Sequence, residues 1–221
     1  MLGLPATTEY NKRIPKQKFY DNITVTPSMK RIFIDNIKSI YWRNKIAPST
    51  INVATGEIVT EIEIFEIKLE HPILDESVLR QIDREIHYHI IFLLEYNNCF
   101  QVWTSYKESV ASGKNPFKVD CYYHTDWMPE SELSLYIDGL CIDTVYENFV
   151  RQIAGTSLES VDGETLKESV EKSEKKKKLQ AEIDRLEKRA WSEPQPKKKF
   201  ELYTMIKEKK QILEDYGNGQ S

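Results

Sequence analysis

In the first part of the chain, segments with apolar residues at helical spacing are interspersed with segments in which apolar residues recur at strand spacing. This pattern predicts a mixture of helices and strands. Helices are predicted after the caps Thr26 and Asp75, where apolar residues recur at helical spacing, and again over 142–153, where Gly155 ends the pattern. Strands are predicted at 37–46, 57–69, 88–96, 100–106 and 117–127, with a further short strand at 133–137.

The order of these elements predicts an α+β fold for residues 1–155. Strands outnumber helices, the turn at Asn97-Asn98 joins two of them as a hairpin, and neighbouring strands are expected to run antiparallel. We therefore expect a mostly antiparallel mixed sheet with flanking helices. Residues 5–26 are polar and contain two prolines, so they are expected to form an irregular arm before the first helix.

The composition changes after residue 155, and the remainder of the chain predicts a charged helical hairpin. Residues 156–168 are rich in Ser, Thr, Glu and Gly and form a predicted linker. The hairpin is predicted over 169–216, and residues 217–221 form a predicted disordered tail. The apolar seam of the hairpin comprises Leu179, Ile183, Leu186 and Ala190. Each arm is too short to be stable alone, so the seam is expected either to pair the two arms or to join two chains as a homodimer.

The charge of the 221-residue chain is unevenly distributed, although its net value is only −4. Residues 1–50 sum to +6, residues 51–150 to −12 and residues 151–221 to +2. The overall balance argues against a protein that coats a polyanion with its whole surface. The basic flanks could instead meet separate partners or the acidic middle of the chain.

Cysteine spacing and hydropathy together predict a cytoplasmic protein. The three cysteines are widely spaced and form no C-x-x-C pair, which indicates reduced thiols rather than a disulfide framework or a zinc knuckle. The N-terminus has no hydrophobic signal core, and the apolar run 90–94 is far shorter than the roughly 20 residues of a membrane helix. No membrane partner is expected.

The stretch 61–70 carries the one hint of catalysis, because it contains the acid-x-Lys pattern Glu66-Ile67-Lys68. Two residues apart on a strand, the carboxylate and the ammonium share one face. Metal-dependent nucleases use such a pair to hold Mg²⁺ and to orient the attacking water. They also need an acid on a preceding strand, where this chain has no Asp. Glu57, Glu61 or Glu63 could substitute only by departing from that pattern. The alternative is a structural strand with a charged outer face.

Four residues in or directly beside the predicted strands could ligate a metal ion. They are His87, His89, His124 and Asp126. The members of each pair are two residues apart and project to one side of their strand, so the four would converge if the two strands were neighbours. Histidines hydrogen-bonded within the sheet are the alternative interpretation.

Cations are interleaved with aromatic residues near the N-terminus, a combination that suits nucleic acid because cations meet phosphates and rings stack on bases. The candidate binding residues are Lys12, Arg13, Lys16, Lys18, Arg43 and Lys45. The alternative is that these side chains are solvated or pair with the acidic middle. No Gly-rich phosphate loop, G-x-S-x-G or H-E-x-x-H motif occurs, so ATPase, dehydrogenase and hydrolase functions lack support.

Several sequence blocks together resemble a bacterial family of unknown function over nearly the whole chain. The blocks are 1–5, 11–16 with Phe19-Tyr20, 40–45, 61–67, 122–127 and 145–155. Genes of that family lie beside DEAD/DEAH-box helicases and DNA methyltransferases, in restriction-like or phage-defence clusters. The resemblance implies a role in such a system, with a helicase or methyltransferase subunit as partner, and it implies no particular reaction.

The leading hypothesis from the sequence is therefore a non-catalytic accessory subunit that needs no cofactor. Its α+β domain would dock a helicase or methyltransferase subunit, or nucleic acid. Two alternatives stay open. One is a Mg²⁺-dependent nuclease that uses Glu66 and Lys68, and the other is a simple DNA- or RNA-binding subunit.

Overall fold

A computed structural model of the protein describes residues 2–17, 26–109, 117–158 and 163–217. The chain divides into two compact units, residues 1–155 and residues 156–221. The first unit holds a β-sheet with its helices, and the second holds two long helices. None of the helices in the described ranges is long and apolar enough to cross a membrane.

In the described residues, the first unit is built on a seven-stranded sheet with the order β1-β2-β3-β4-β5-β6 and with β7 beside β5. The strands are β1 (Glu9–Ile14), β2 (Ile37–Ile46), β3 (Ile62–Leu69), β4 (His89–Tyr96), β5 (Cys99–Ser109), β6 (Phe117–His124) and β7 (Met128–Pro129). Strands β3 and β4 are parallel, and the other pairs in this sheet are antiparallel. The expected α+β class with a mostly antiparallel mixed sheet is confirmed.

Helices flank this sheet and are capped by the residues that the sequence indicated. They are α1 (Pro27–Asn36), α2 (Glu76–Glu85) and α3 (Ile142–Ala154). The Thr26 side chain accepts a hydrogen bond from the Met29 amide, and Asp75 accepts one from the Ser77 amide. Helix α2 connects β3 to β4 as a crossover, which is why these two neighbours run parallel rather than antiparallel as expected.

The two faces of the sheet are covered by different helices. Phe92 of β4 joins Phe33 of α1 and Leu79 of α2 in one buried cluster. His89 points to the opposite face, because it is an odd number of residues from Phe92, and there it contacts Tyr146 of α3. A side chain in the middle of the sheet is therefore buried on whichever face it lies.

The strand predicted over 57–69 begins only at Ile62, because the preceding backbone is bonded elsewhere. The amides of Glu57, Ile58 and Val59 donate to the carboxylate of Asp143, over 2.7, 3.2 and 2.6 Å. These amides cannot pair with a neighbouring strand at the same time.

Two other segments of this unit also differ from the prediction. Residues 9–14, expected to lie in an irregular arm, form the edge strand β1, which sequence periodicity could not indicate because its residues are mostly exposed. The predicted strand 133–137 is not formed. There the amide and carbonyl of Tyr136 bond to the side chain of Gln152, over 2.9 and 2.8 Å, instead of to another strand.

The second unit consists of helices α4 (Leu166–Ser192) and α5 (Pro196–Gly217). Thr165 and Glu168 form a reciprocal capping box at the start of α4, so the helix begins within the predicted linker 156–168. Proline stands at the first position of α5, where a missing amide proton costs nothing. Residues 159–162 of the linker and 218–221 of the predicted tail lie outside the described residues.

The two long helices pack against each other as a hairpin within one chain. The predicted seam residues Leu179, Ile183, Leu186 and Ala190 meet Leu202, Ile206 and Leu213 of α5 in a single cluster. Ion pairs flank this cluster, with Lys209 Nζ 2.9 Å from Glu182 and Lys210 Nζ 2.7 Å from Glu187. The seam therefore forms the core of the hairpin itself.

Candidate nucleic-acid interface

The glutamates of the acid-rich strand are buried. Glu63 and Glu66 of β3 are 1% and 2% exposed. Strand β3 lies between β2 and β4 with helices on both faces, so its charged side chains do not form the solvent-exposed outer face that was one interpretation of the sequence.

A chain of ion pairs joins β2, β3 and β4. Glu66 lies between two cations, with its Oε2 3.2 Å from Arg43 Nε and its Oε1 3.4 Å from Lys68 Nζ. Lys68 Nζ is also 3.4 Å from Glu95 Oε2. Each carboxylate in this series of ion pairs is thus matched by a cation, which offsets the cost of burying Glu66.

The residues around Glu66 do not fit a Mg²⁺ site. Burial lowers the pKa of Lys68, but the charges of Glu66 and Glu95 outweigh this effect and hold the pKa above its ordinary value. The ammonium therefore stays protonated at neutral pH and cannot accept a proton from water. Arg43 lies on β2, where a nuclease would need a second carboxylate. Among the described residues, no group of three or more His, Cys, Asp or Glu is arranged to hold a metal ion.

Glu63 lies on the other face of β3 and takes no part in this chain of ion pairs. Burial, together with the nearby carboxylate of Glu61, raises the pKa of Glu63 from 4.5 to about 8. Glu61 forms an ion pair with Lys45, and this hydrogen bond raises the pKa of Lys45. Glu63 is thus a buried, mostly protonated carboxyl group at neutral pH, and Lys45 already has a carboxylate partner.

The remaining cations that were predicted to bind nucleic acid do not all lie on one surface. The ammonium of Lys16 donates a hydrogen bond to the carbonyl of Ile37 at the end of α1, where it offsets the partial negative charge of the helix terminus. Lys12 and Arg13 are neighbours on β1 and therefore point to opposite faces of the sheet. Lys18 lies outside the described residues, as do Phe19 and Tyr20.

Arg13 lines two adjoining cavities at one end of the sheet, which we call the basic groove. The cavities have volumes of about 560 and 300 Å³. They share Arg13, Lys38 and Ser39, so they form one continuous surface. The polar lining comprises Arg13, Lys16, Lys38, Ser39, Tyr41, Lys68, Glu95, Asn97 and Asn98. The groove gathers side chains from β1 to β4 and from the turn that follows β4.

The basic groove carries a net positive charge. Four of its lining residues are cations, and Glu95 is the one carboxylate among them. Glu95 is held by Lys68 and by the backbone amide of Asn98, over 3.4 and 3.2 Å. Within the described residues, Arg13 and Lys38 have no ion-pair partner and are exposed. These two cations are therefore available to bind an anion.

The sequence model of one protein family matches residues 2–213, which is nearly the whole chain. The description of that family is a domain of unknown function, DUF4391. The chain belongs to this family. No curated protein and no solved structure matches the chain. The family description names no reaction or ligand, so the geometry of the basic groove is what bears on function.

In this DUF4391 chain, His89 is packed among aromatic rings and not aimed at a metal site. Its ring lies 4.7 Å from that of Phe117 and 4.3 Å from that of Tyr146, both at steep angles. Burial, helped by the nearby charge of Lys107, lowers the pKa of His89 to about 3. The imidazole is therefore neutral throughout the physiological range.

The other predicted metal ligands do not converge with His89. His124 ends β6 and stacks on Trp103 of β5, with ring centroids 4.3 Å apart. Trp103 packs against the α1–α2 side of the sheet, the face opposite His89. His87 and Asp126 lie in the connections outside the strands. The alternative of histidines hydrogen-bonded within the sheet describes His124 well, because its Nδ1 lies 3.2 Å from the side-chain amide of Gln101 on β5 and 2.9 Å from the carbonyl of Thr125.

The most deeply buried ion pair of the described residues was not predicted. Lys107 Nζ of β5 lies 2.9 Å from Asp83 Oδ1 of α2, and both side chains are fully buried. Tyr122 of β6 donates a hydrogen bond to the other carboxylate oxygen, and Lys107 donates to the carbonyl of Tyr88. The sequence signal at Asp83 was a charged residue among the apolar positions of a predicted helix, and Lys107 gave no comparable signal. This cluster joins α2 to the sheet and is closed to any ligand.

Proposed function

We propose that this protein is a nucleic-acid-binding accessory subunit of a helicase- or DNA-methyltransferase-associated system of the restriction or phage-defence kind. The basic groove is the observation that carries the binding role, because four cations there face one carboxylate. Phosphate groups are the anions that such a surface suits. The link to a helicase or methyltransferase is supported by the resemblance of the sequence blocks alone.

The shape of the basic groove favours a polymer over a single small anion. Its two cavities adjoin through Arg13 and Lys38, so two exposed cations lie along the path between them. The ring of Tyr41 and the amides of Asn97 and Asn98 add surfaces that can contact bases and sugars. Cations along a groove beside a ring and amides are the pattern expected where a nucleic-acid backbone runs across a protein.

Charge reversal on β1 tests the binding role. Fluorescence anisotropy with labelled DNA and RNA of about 20 nucleotides, single- and double-stranded, compares the wild type with Arg13→Glu and Lys12→Glu. Both variants change the net charge equally, but only Arg13 lines the basic groove. We expect Arg13→Glu to weaken binding about tenfold or more and Lys12→Glu to weaken it less than about threefold. Equal losses would mean that binding follows net charge and not the groove.

Recovery of partners from the native host tests the accessory role. The tagged protein is isolated with and without nuclease treatment, and the material bound to it is identified. A helicase or methyltransferase that stays bound after nuclease treatment is the expected result. Recovery of nucleic acid without such a protein would support nucleic-acid binding but would contradict the proposal that the protein is an accessory subunit.

A further inference from the structure

Three large aromatic side chains near the turn of the hairpin are exposed to solvent. Trp191 is 84% exposed, Phe200 is 73% exposed and Tyr203 is 50% exposed. Trp191 directly follows the core residue Ala190 on α4, and Tyr203 directly follows the core residue Leu202 on α5. One residue further along an α-helix corresponds to a rotation of about 100° around its axis. Because the two helices are antiparallel and their core residues face each other, this rotation points the side chains of Trp191 and Tyr203 to the same side of the hairpin. Phe200 precedes Tyr203 by three residues and is therefore its neighbour on the surface of α5. We call Trp191, Phe200 and Tyr203 the aromatic tip.

The aromatic tip is larger than the scattered apolar exposure of an ordinary surface. From these exposed fractions, the three rings present roughly 400 Å² to water. A patch of this size lies in the range where exposed apolar surface commonly marks an interaction site. Tryptophan and tyrosine are also the residues that most often dominate binding energy in protein interfaces.

The surroundings of the aromatic tip are positively charged. Residues 185–207 contain seven Lys and Arg against three Glu. Three of these lysines, 197–199, lie in the first turn of α5, where the helix already carries partial positive charge. A second copy of the same surface would bring like charges together, whereas carboxylates would relieve this repulsion. Charge therefore selects an acidic partner over self-association.

We propose that the aromatic tip docks an acidic amphipathic helix of a partner protein. The rings would pack against the apolar face of that helix, and the lysines around them would meet its carboxylates. Glu201 adjoins Phe200 and Glu193 follows Trp191 by two residues, so a partner must keep its anions away from the rings and place them beside the lysines. A helix with separate apolar and acidic faces can do this, whereas the evenly spaced phosphates of a nucleic acid cannot all avoid the two glutamates. This proposal stands on the second unit alone and does not depend on the basic groove.

Designed peptides test the proposal with the full-length protein. The probes are amphipathic helices of about 20 residues with a leucine face and a polar face of either Glu or Lys, measured by fluorescence anisotropy. We expect the Glu peptide to bind at least about tenfold more tightly than the Lys peptide. Trp191→Ala should weaken its binding about tenfold or more, and Lys198→Glu should weaken it severalfold.

Control variants and competing ligands distinguish an acidic helix from other possible binding partners of the aromatic tip. Leu140→Ala removes a side chain that is 90% exposed in the first unit, and it should leave peptide binding unchanged. Circular dichroism should be the same for Trp191→Ala and wild type, because an exposed ring adds little to the fold. Equal binding of both peptides overturns the proposal. So does an oligonucleotide that binds at Trp191 in place of the peptide, or self-association that Trp191→Ala abolishes.

Discussion

Glu63→Gln is expected to stabilise the protein at neutral pH and to remove part of its pH dependence. The pKa of Glu63 is about 8 in the folded protein, against 4.5 for an ordinary glutamate. Between these values the folded state holds a proton that the unfolded state has released, so the free energy of unfolding falls as the pH rises, by about 1.4 kcal/mol per pH unit. At pH 7 the accumulated loss is about 3 to 4 kcal/mol, and it is complete above about pH 8.

Urea unfolding of both proteins between about pH 5 and pH 8.5 measures this effect. The difference in unfolding free energy between variant and wild type isolates Glu63, because the remaining groups are common to both. We expect this difference to grow in favour of Glu63→Gln as the pH rises. Glu61→Gln is the matched control: burial is the first cause of the shift, so most of the wild-type pH dependence should remain. A difference that is independent of pH, or a variant less stable at pH 7, would refute the reasoning.

Two further variants test the packing. Asp83→Ala leaves Lys107 buried without its carboxylate, so we expect a loss of about 3–5 kcal/mol in urea unfolding, and a loss below about 1 kcal/mol would contradict the buried ion pair. Leu186→Asp places a charge in the core of the hairpin, so we expect hydrogen-exchange protection to fall in α4 and α5 while β3 and β4 keep theirs. Unchanged protection of α4 would contradict the pairing of the two helices.

Local patterns in the sequence predicted most elements of the fold, because caps and periodicity are local. The caps Thr26 and Asp75 begin α1 and α2, and the seam spacing around Leu186 predicts the hairpin. The features of the fold that the sequence did not predict depend on contacts between residues far apart in the chain. The parallel pairing of β3 and β4 follows from the crossover through α2, and the late start of β3 follows from Asp143, which lies far along the chain.

The site could be predicted only in part. Arg13 was identified from its cluster of cations, but Asn97 and Asn98 join it only because the ends of four strands meet. Sequence could not show that the carboxylate of Glu61 binds Lys45. Glutamates that alternate with isoleucines look the same on a half-exposed strand and on a buried one, so the burial of Glu66 needed knowledge of the helices on both faces.

The salt dependence of nucleic-acid binding tests the central claim most directly. If Arg13 and Lys38 of the basic groove meet phosphates, log Kd for duplex DNA plotted against log salt concentration should have a slope of about 2 or more. Lys38→Gln should lower this slope by about 1, because one phosphate contact is lost. An absence of binding at low salt, or a slope that Lys38→Gln leaves unchanged, would contradict the assignment of the basic groove as a nucleic-acid interface.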